Sequence, residues 1–160
     1  MIIDNIEFAR KSLEFHDTIS VLQFNRLEDV LASNKGELDC RLLGKVAIGN
    51  RLELELSVRG VLQLTCQRCL EPFDFNLDIT SRFIVVNDES DIPSEEDDLE
   101  EHDYLIADPK MQLFELIEDE VLLALPLAPK HAGEDCGADS MIAALKKPSP
   151  FQALQNLKRK

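Results

Sequence analysis

The sequence predicts an α+β fold in which an antiparallel β meander, one that could be barrel-like, packs with a few helices. Three observations carry this. From Leu38 to Val86 apolar residues alternate with polar ones, the period of strands that bury one face. Gly49-Asn50 and Arg59-Gly60 sit at breaks in that alternation, as hairpin turns would. Lys110 to Pro126 switches to helical spacing. The chain has 160 residues, 44% of them apolar, and no internal repeat or second hydrophobic unit. Residues 1–160 are therefore expected to form a single domain.

Taken in order, Ile6, Ala9 and Leu13 predict a short helix over 5–15, and Leu27, Val30 and Leu31 a second over 24–33. Leu38, Cys40 and Leu42 mark a first strand, and Leu52, Leu54, Leu56 and Val58 a cleaner second. Val61 to Thr65 reads as a third strand that runs into Cys66-Gln-Arg-Cys69. A fourth starts after Pro72 with Phe73, Phe75, Leu77 and Ile79 and continues toward Val86. Tyr104 to Ala107 could add another. The helix that follows places Leu113, Leu116, Ile117, Val121 and Ala124 on one stripe, with Glu115, Glu118 and Asp119 expected on a solvated face; Pro126 and Pro129 end it. At the end of the chain, Ser149 and Pro150 could open a short docked helix with Phe151, Leu154 and Leu157, and an unstructured tail is the alternative.

The formal net charge is −14, and its distribution matters more than its size. Residues 1–86 hold 10 bases and 13 acids, 87–103 no base and 10 acids, 104–140 2 bases and 8 acids, and 141–160 5 bases and no acid. The 87–103 run has too little apolar surface to offset its ordering entropy, which predicts a mobile acidic loop. Lys147, Lys158, Arg159 and Lys160 lie in a basic C-terminal tail over 141–160 and are candidate contacts to phosphate or an acidic surface. A protein coated on RNA through a basic face is disfavoured, because phosphate contacts need clustered cations. No apolar run approaches the ~20 residues that span a bilayer, and Met1 to Arg10 has neither the basic nor the apolar region of an export signal. The expectation is a soluble, cytoplasmic protein with no membrane partner.

Two of the four cysteines, Cys66 and Cys69, have the spacing of metal or redox chemistry. Redox pairs sit at a helix N-terminus, whereas this pair leaves a strand and meets Pro72 before another, a place where two thiolates can chelate one zinc. His131 and Cys136 are the plausible second half, since Cys40 lies inside a strand pattern and His16 and His102 have no nearby partner. Zinc bound by Cys66, Cys69, His131 and Cys136, a pair of reduced structural thiols, and redox chemistry all stay open on this spacing. Arg68, between the thiols, could bind a partner or simply be solvated. There is no Gly-rich phosphate loop, nucleophile elbow or H-E-x-x-H, and the acidic run lacks the calcium-loop order. Neither an enzyme nor a small-molecule substrate is expected.

Leu64-Thr-Cys-Gln-Arg-Cys-Leu-Glu-Pro-Phe73 resembles the signature of the bacterial large ribosomal RNA subunit accumulation (YceD) family. The resemblance extends to Phe114 through Pro126, to the Pro129-Lys-His131 and Cys136 segment, and to Lys147-Pro-Ser-Pro-Phe151 through Leu157-Lys-Arg-Lys160. The motif falls on Cys66, Arg68, Cys69, Leu70, Pro72 and Phe73; at the later position this chain has one His and one Cys where many members carry more cysteines. The resemblance implies a non-enzymatic cytoplasmic factor for synthesis, processing or stability of 23S ribosomal RNA. It implies partners among the pre-50S particle, 23S rRNA or a basic large-subunit ribosomal protein. An acidic escort that binds such a protein is the alternative, which the charge favours slightly.

Overall fold

The computed structural model describes residues 1–93 and 103–132. In chain order the elements are β1 (Ile2–Ile3), α1 (Asn5–Arg10), β2 (Glu14–Ser20), β3 (Glu37–Val46), β4 (Leu52–Thr65), β5 (Pro72–Val86), β6 (Asp103–Ile106), β7 (Met111–Gln112) and α2 (Leu113–Ala124). Short 3-10 turns occupy Val21–Gln23, Leu27–Asp29, Ile48–Asn50 and Glu89–Asp91. The predicted α+β class holds. Five strands form one sheet in the order β2-β3-β4-β5-β6, antiparallel except for the last pair, where β6 runs parallel to β5. The sheet is open, because β2 and β6 end at opposite edges and β6 pairs with only Phe83 to Val86.

The alternation that predicted the strands fills the inner face. Leu38, Cys40 and Leu42 of β3, Leu54, Leu56, Val58 and Leu62 of β4, and Leu77, Phe83 and Val85 of β5 are buried beneath α1 and α2, which contribute Phe8, Ala9, Leu113, Ile117 and Val121. The β3-β4 hairpin turns at Gly49 and Asn50, whose φ values of 78° and 63° suit a glycine and an asparagine. Arg59-Gly60, in contrast, is no turn. β4 runs unbroken for 14 residues, and Gly60 is needed for packing: a Cβ there would lie 2.6 Å from Leu38 Cδ2 and 2.8 Å from the Glu37 carbonyl.

Both N-terminal helices are shorter than their periodicity suggested. α1 ends at Arg10 because Ser12 turns left-handed at φ 49°, after which Gly44 N–H donates to the Leu13 carbonyl and the chain enters β2. Residues 24–33 make only the 3-10 turn at Leu27–Asp29. Ala32 N–H donates to the Gln63 carbonyl at 2.7 Å and Ser33 bridges to Gln63, so β4 draws this segment out into extended backbone.

Contacts distant in sequence fasten the helices. The Asn5 side chain is buried, donating to the Ile106 carbonyl and accepting from Asp108 N–H, each at 2.9 Å. α1 rests directly on Gly44, where a Cβ would meet the Phe8 carbonyl oxygen at 2.3 Å. Gly44→Ala must therefore lift α1 from the sheet and is expected to cost about 3 kcal/mol, read as a lower urea midpoint at unchanged slope. Glu118, expected on a solvated face, is instead buried. Its carboxylate accepts from Arg26 N–H at 2.6 Å, Arg26 Nε at 2.8 Å and Leu27 N–H at 3.3 Å, tying α2 to the Leu27–Asp29 turn.

Candidate metal centre

The β4-β5 connection is the six residues from Cys66 to Glu71, closed where Thr65 pairs with Pro72. Cys66 N–H donates to the Glu71 carbonyl at 3.0 Å, and Leu70 N–H donates to the Cys66 carbonyl at 2.9 Å. So tight a loop forces Leu70 to φ 63°, a strained state for a branched side chain, which it leaves 73% exposed. Both thiols are thereby placed at one end of the hairpin.

The third group arrives from the chain beyond α2. Past α2, Pro126 and Pro129 prevent further helix, and the Pro129 carbonyl accepts from Gln67 N–H at 2.8 Å. That bond holds the chain across the loop and brings His131 over it, with its ring centroid 5.0 Å from that of Phe73. Donor atoms of Cys66, Cys69 and His131 all lie within 4.8 Å of one another, close enough to hold a metal ion. Cys69 Sγ is 3.5 Å from His131 Nδ1. A tetrahedral zinc with bonds of about 2.3 Å to sulfur and 2.0 Å to nitrogen separates such a pair by about 3.5 Å, so the residues fit the ion.

The environment also prepares the sulfur. Burial alone would raise the Cys66 thiol above its ordinary 9.0. The backbone N–H groups of Cys69, His131 and Arg68 and the His131 ring, all directed at that sulfur, outweigh burial and bring it down to about 5. Arg68 N–H lies 3.5 Å from the sulfur, and its residue is half-buried in the loop.

Three of the four expected ligands thus meet across 62 residues of sequence. Cys136, Lys147, Lys158, Arg159 and Lys160, with most of the 87–103 loop and all of the 141–160 tail, lie outside the described residues. Spacing alone did not reveal the Pro129 carbonyl that pins the loop or the aromatic contact of Phe73, since both depend on where the chain returns after α2. Cys40 stands apart, buried in β3, and burial, followed by Asp39 and Asp17, pushes its thiol up to about 12. In folded protein Cys40 is expected to resist iodoacetamide that modifies Cys66 and Cys69 after chelation, and to react only on unfolding. Peptide mass mapping reads this, and early labelling of Cys40 would contradict it.

The outer sheet face is the other candidate surface, and its cations are engaged. Arg41 pairs with Glu14 at 2.7 Å, Lys45 with Glu55 at 2.7 Å, Arg82 with Glu55 at 3.3 Å and Arg59 with Asp78 at 2.9 Å. Each Lys or Arg that β3, β4 and β5 present there thus faces a carboxylate. Such exposed pairs add little stability, but among the described residues they leave this sheet face no unclaimed row of charge for a phosphate backbone.

No solved structure matches the chain. Over 169 aligned positions it is 27% identical to the large ribosomal RNA subunit accumulation protein YceD of Haemophilus influenzae, covering 99% of this chain and 95% of that protein. The family model described as large ribosomal RNA subunit accumulation protein YceD matches residues 54–158, a span that contains the Cys66 to Phe73 loop, α2 and His131. With that match over more than half its length, the chain belongs to the YceD family.

Proposed function

We propose that this protein is a non-enzymatic, cytoplasmic factor of ribosome biogenesis. It supports accumulation of 23S ribosomal RNA, through synthesis, processing or stability, by contact with the pre-50S particle. The observation that carries this reading is membership of a family named for accumulation of the large ribosomal RNA subunit. In it, zinc held by Cys66, Cys69, His131 and Cys136 stiffens the β4-β5 loop, and Arg68, Lys147, Lys158, Arg159 and Lys160 supply local cations. Zinc at such a site is structural, joining the loop to the chain after α2 without activating a water.

A second reading has a specific observation in its favour. The cations of the sheet face are already paired, and 87–103 adds 10 acids and no base. Free RNA would find few available charges, whereas a basic large-subunit ribosomal protein would be attracted at range. An acidic escort that holds such a protein back from premature RNA contact follows from this pattern. Purified full-length protein, titrated across salt with 23S fragments and with basic large-subunit proteins, tests both readings. The escort predicts salt-sensitive capture of the basic protein, weakened by deletion of 87–103, and weak RNA binding. Tight, salt-sensitive RNA binding that survives this deletion and disappears without 141–160 would sink the escort and favour direct contact with 23S RNA.

A further inference from the structure

β5 has an open edge. Among the described residues β6 alone pairs with that side of β5, and it takes only Phe83 to Val86, so no described strand covers the edge from Phe73 to Thr80. The register fixes which groups this edge presents. Cys66 N–H bonds the Glu71 carbonyl, and bonded pairs alternate along an antiparallel ladder, so Phe73, Phe75, Leu77 and Ile79 turn their backbone groups to β4. The N–H and C=O groups of Asp74, Asn76, Asp78 and Thr80 point the other way, into the open edge. Pro72, which has no N–H, stands on the outward side of the same alternation, where a proline breaks no ladder bond.

The side chains beside this edge are apolar on the inner face and acidic around it. Phe75 and Ile79 pack against the core yet stay only half-buried. Ser81 Oγ donates to the Glu120 carboxylate, which sets that side of α2 over β5. Leu116 and Leu123 share the Glu120 side of the helix, and Leu123 is 79% exposed. On the outer face Asp74, Asn76, Asp78 and Thr80 are all exposed. Asp74 accepts from the neutral Gln63 side chain at 3.2 Å and Glu120 from Ser81, so neither carboxylate meets a cation in these bonds, whereas Asp78 faces Arg59. Glu71 adds an exposed carboxylate at one end, and Arg82, already turned to Glu55, is the one base in 71–82.

We propose that this edge docks an extended segment of a cationic partner protein, in which apolar residues alternate with Lys or Arg. The segment adds a strand by pairing its backbone with Asp74, Asn76, Asp78 and Thr80. Its apolar side chains meet Phe75, Ile79 and Leu123, and its cations meet Asp74, with Glu71, Asp78 and Glu120 adding attraction at range. A second copy of the chain is the poorer occupant, because it would bring the same carboxylates together on a molecule of formal net charge −14. Docking of this kind requires neither RNA contact nor zinc.

Amide exchange resolved by NMR on the full-length chain tests this, with a peptide of about nine residues in which lysine and valine alternate as the probe. The peptide should slow exchange of the Asp74, Asn76, Asp78 and Thr80 amides by about ten-fold, less so as salt is added, and leave β3 unchanged. A peptide of the same composition with all its lysines at one end should not. Asn76→Pro removes one outward N–H and keeps the bonds to β4, so it should abolish protection of the other three amides at a nearly unchanged urea midpoint. Asp74→Lys, on the exposed face, should weaken binding about five-fold. No binding, binding that ignores both variants, or equal protection by the block peptide overturns the proposal. Slow exchange of these amides in the free protein overturns it as well: independent of concentration, it means that the chain covers its own edge, and rising with concentration, that a second copy does.

Discussion

Full-length protein purified without chelator is expected to carry one zinc ion per chain, and Cys66→Ser with Cys69→Ser to carry none. Native mass spectrometry reads this directly. The two sulfurs and His131 Nδ1 converge within 4.8 Å, and N–H groups directed at Cys66 favour its thiolate, the form that binds zinc. Losing the ion removes a strong cross-link between the β4-β5 loop and the chain after α2, which the Gln67 to Pro129 hydrogen bond and the contacts of His131 with Phe73 and Cys69 would then hold. The expected penalty is about 3–4 kcal/mol, or about 10 °C in melting temperature for a chain of this length. A chelator should lower the wild-type melting temperature by a similar amount and leave the double variant unmoved. Folded, fully reduced wild-type protein with no bound metal would reject the site. Cys136→Ser, which asks whether the fourth ligand is the one expected, should weaken binding while leaving Cys66, Cys69 and His131 to hold the ion less tightly.

Glu118→Ala is expected to destabilise the protein by about 3 kcal/mol without affecting zinc content. The substitution leaves the N–H groups of Arg26 and Leu27, and Arg26 Nε, without the acceptor that Glu118 supplies, while the Arg26 guanidinium keeps Asp119 and the Glu115 carbonyl. Unsatisfied groups at a buried contact cost far more than an exposed ion pair is worth, so the effect should resist added salt. Glu118→Gln keeps the shape and one acceptor oxygen, and about half the loss is expected. Urea unfolding of the two variants beside wild type distinguishes these outcomes; an alanine variant as stable as wild type would mean that packing of Leu27 alone secures the turn. Asp119, which also meets Arg26, is half exposed and should matter little.

These two sites differ in how far the sequence announced them. The Cys66-x-x-Cys69 spacing, its place between strands and the later His131 were legible as a metal half-site with a distant complement. Their convergence was not, because it depends on α2 crossing the inner face and on the Pro129 carbonyl catching Gln67 N–H. Glu118 was read as solvated from its helical position beside Glu115 and Asp119. Only the return of residues 24–29 against α2 buries it, and a period-based reading has no access to that segment's partner.

The strands follow the same division. Alternation located β3, β4 and β5 and their buried face, and Gly49-Asn50 located a hairpin, because side-chain direction and allowed φ are local properties. Gly60 was misread as a turn because a glycine required for close packing looks the same in sequence as one required for a positive φ. The helical pattern over 24–33 failed for a related reason: bonds to Gln63 and Glu118, far along the chain, outcompeted local helix formation. The sequence by itself determined the fold class, the main strands, α2, the distribution of charge and the place of the Cys66-x-x-Cys69 pair between two strands. The open sheet, the parallel β6, the burial of Glu118 and the meeting of Cys66, Cys69 and His131 were decided by tertiary structure. Each of these depends on a hydrogen bond or contact between segments tens of residues apart, whose free energy is absent from any local window of sequence.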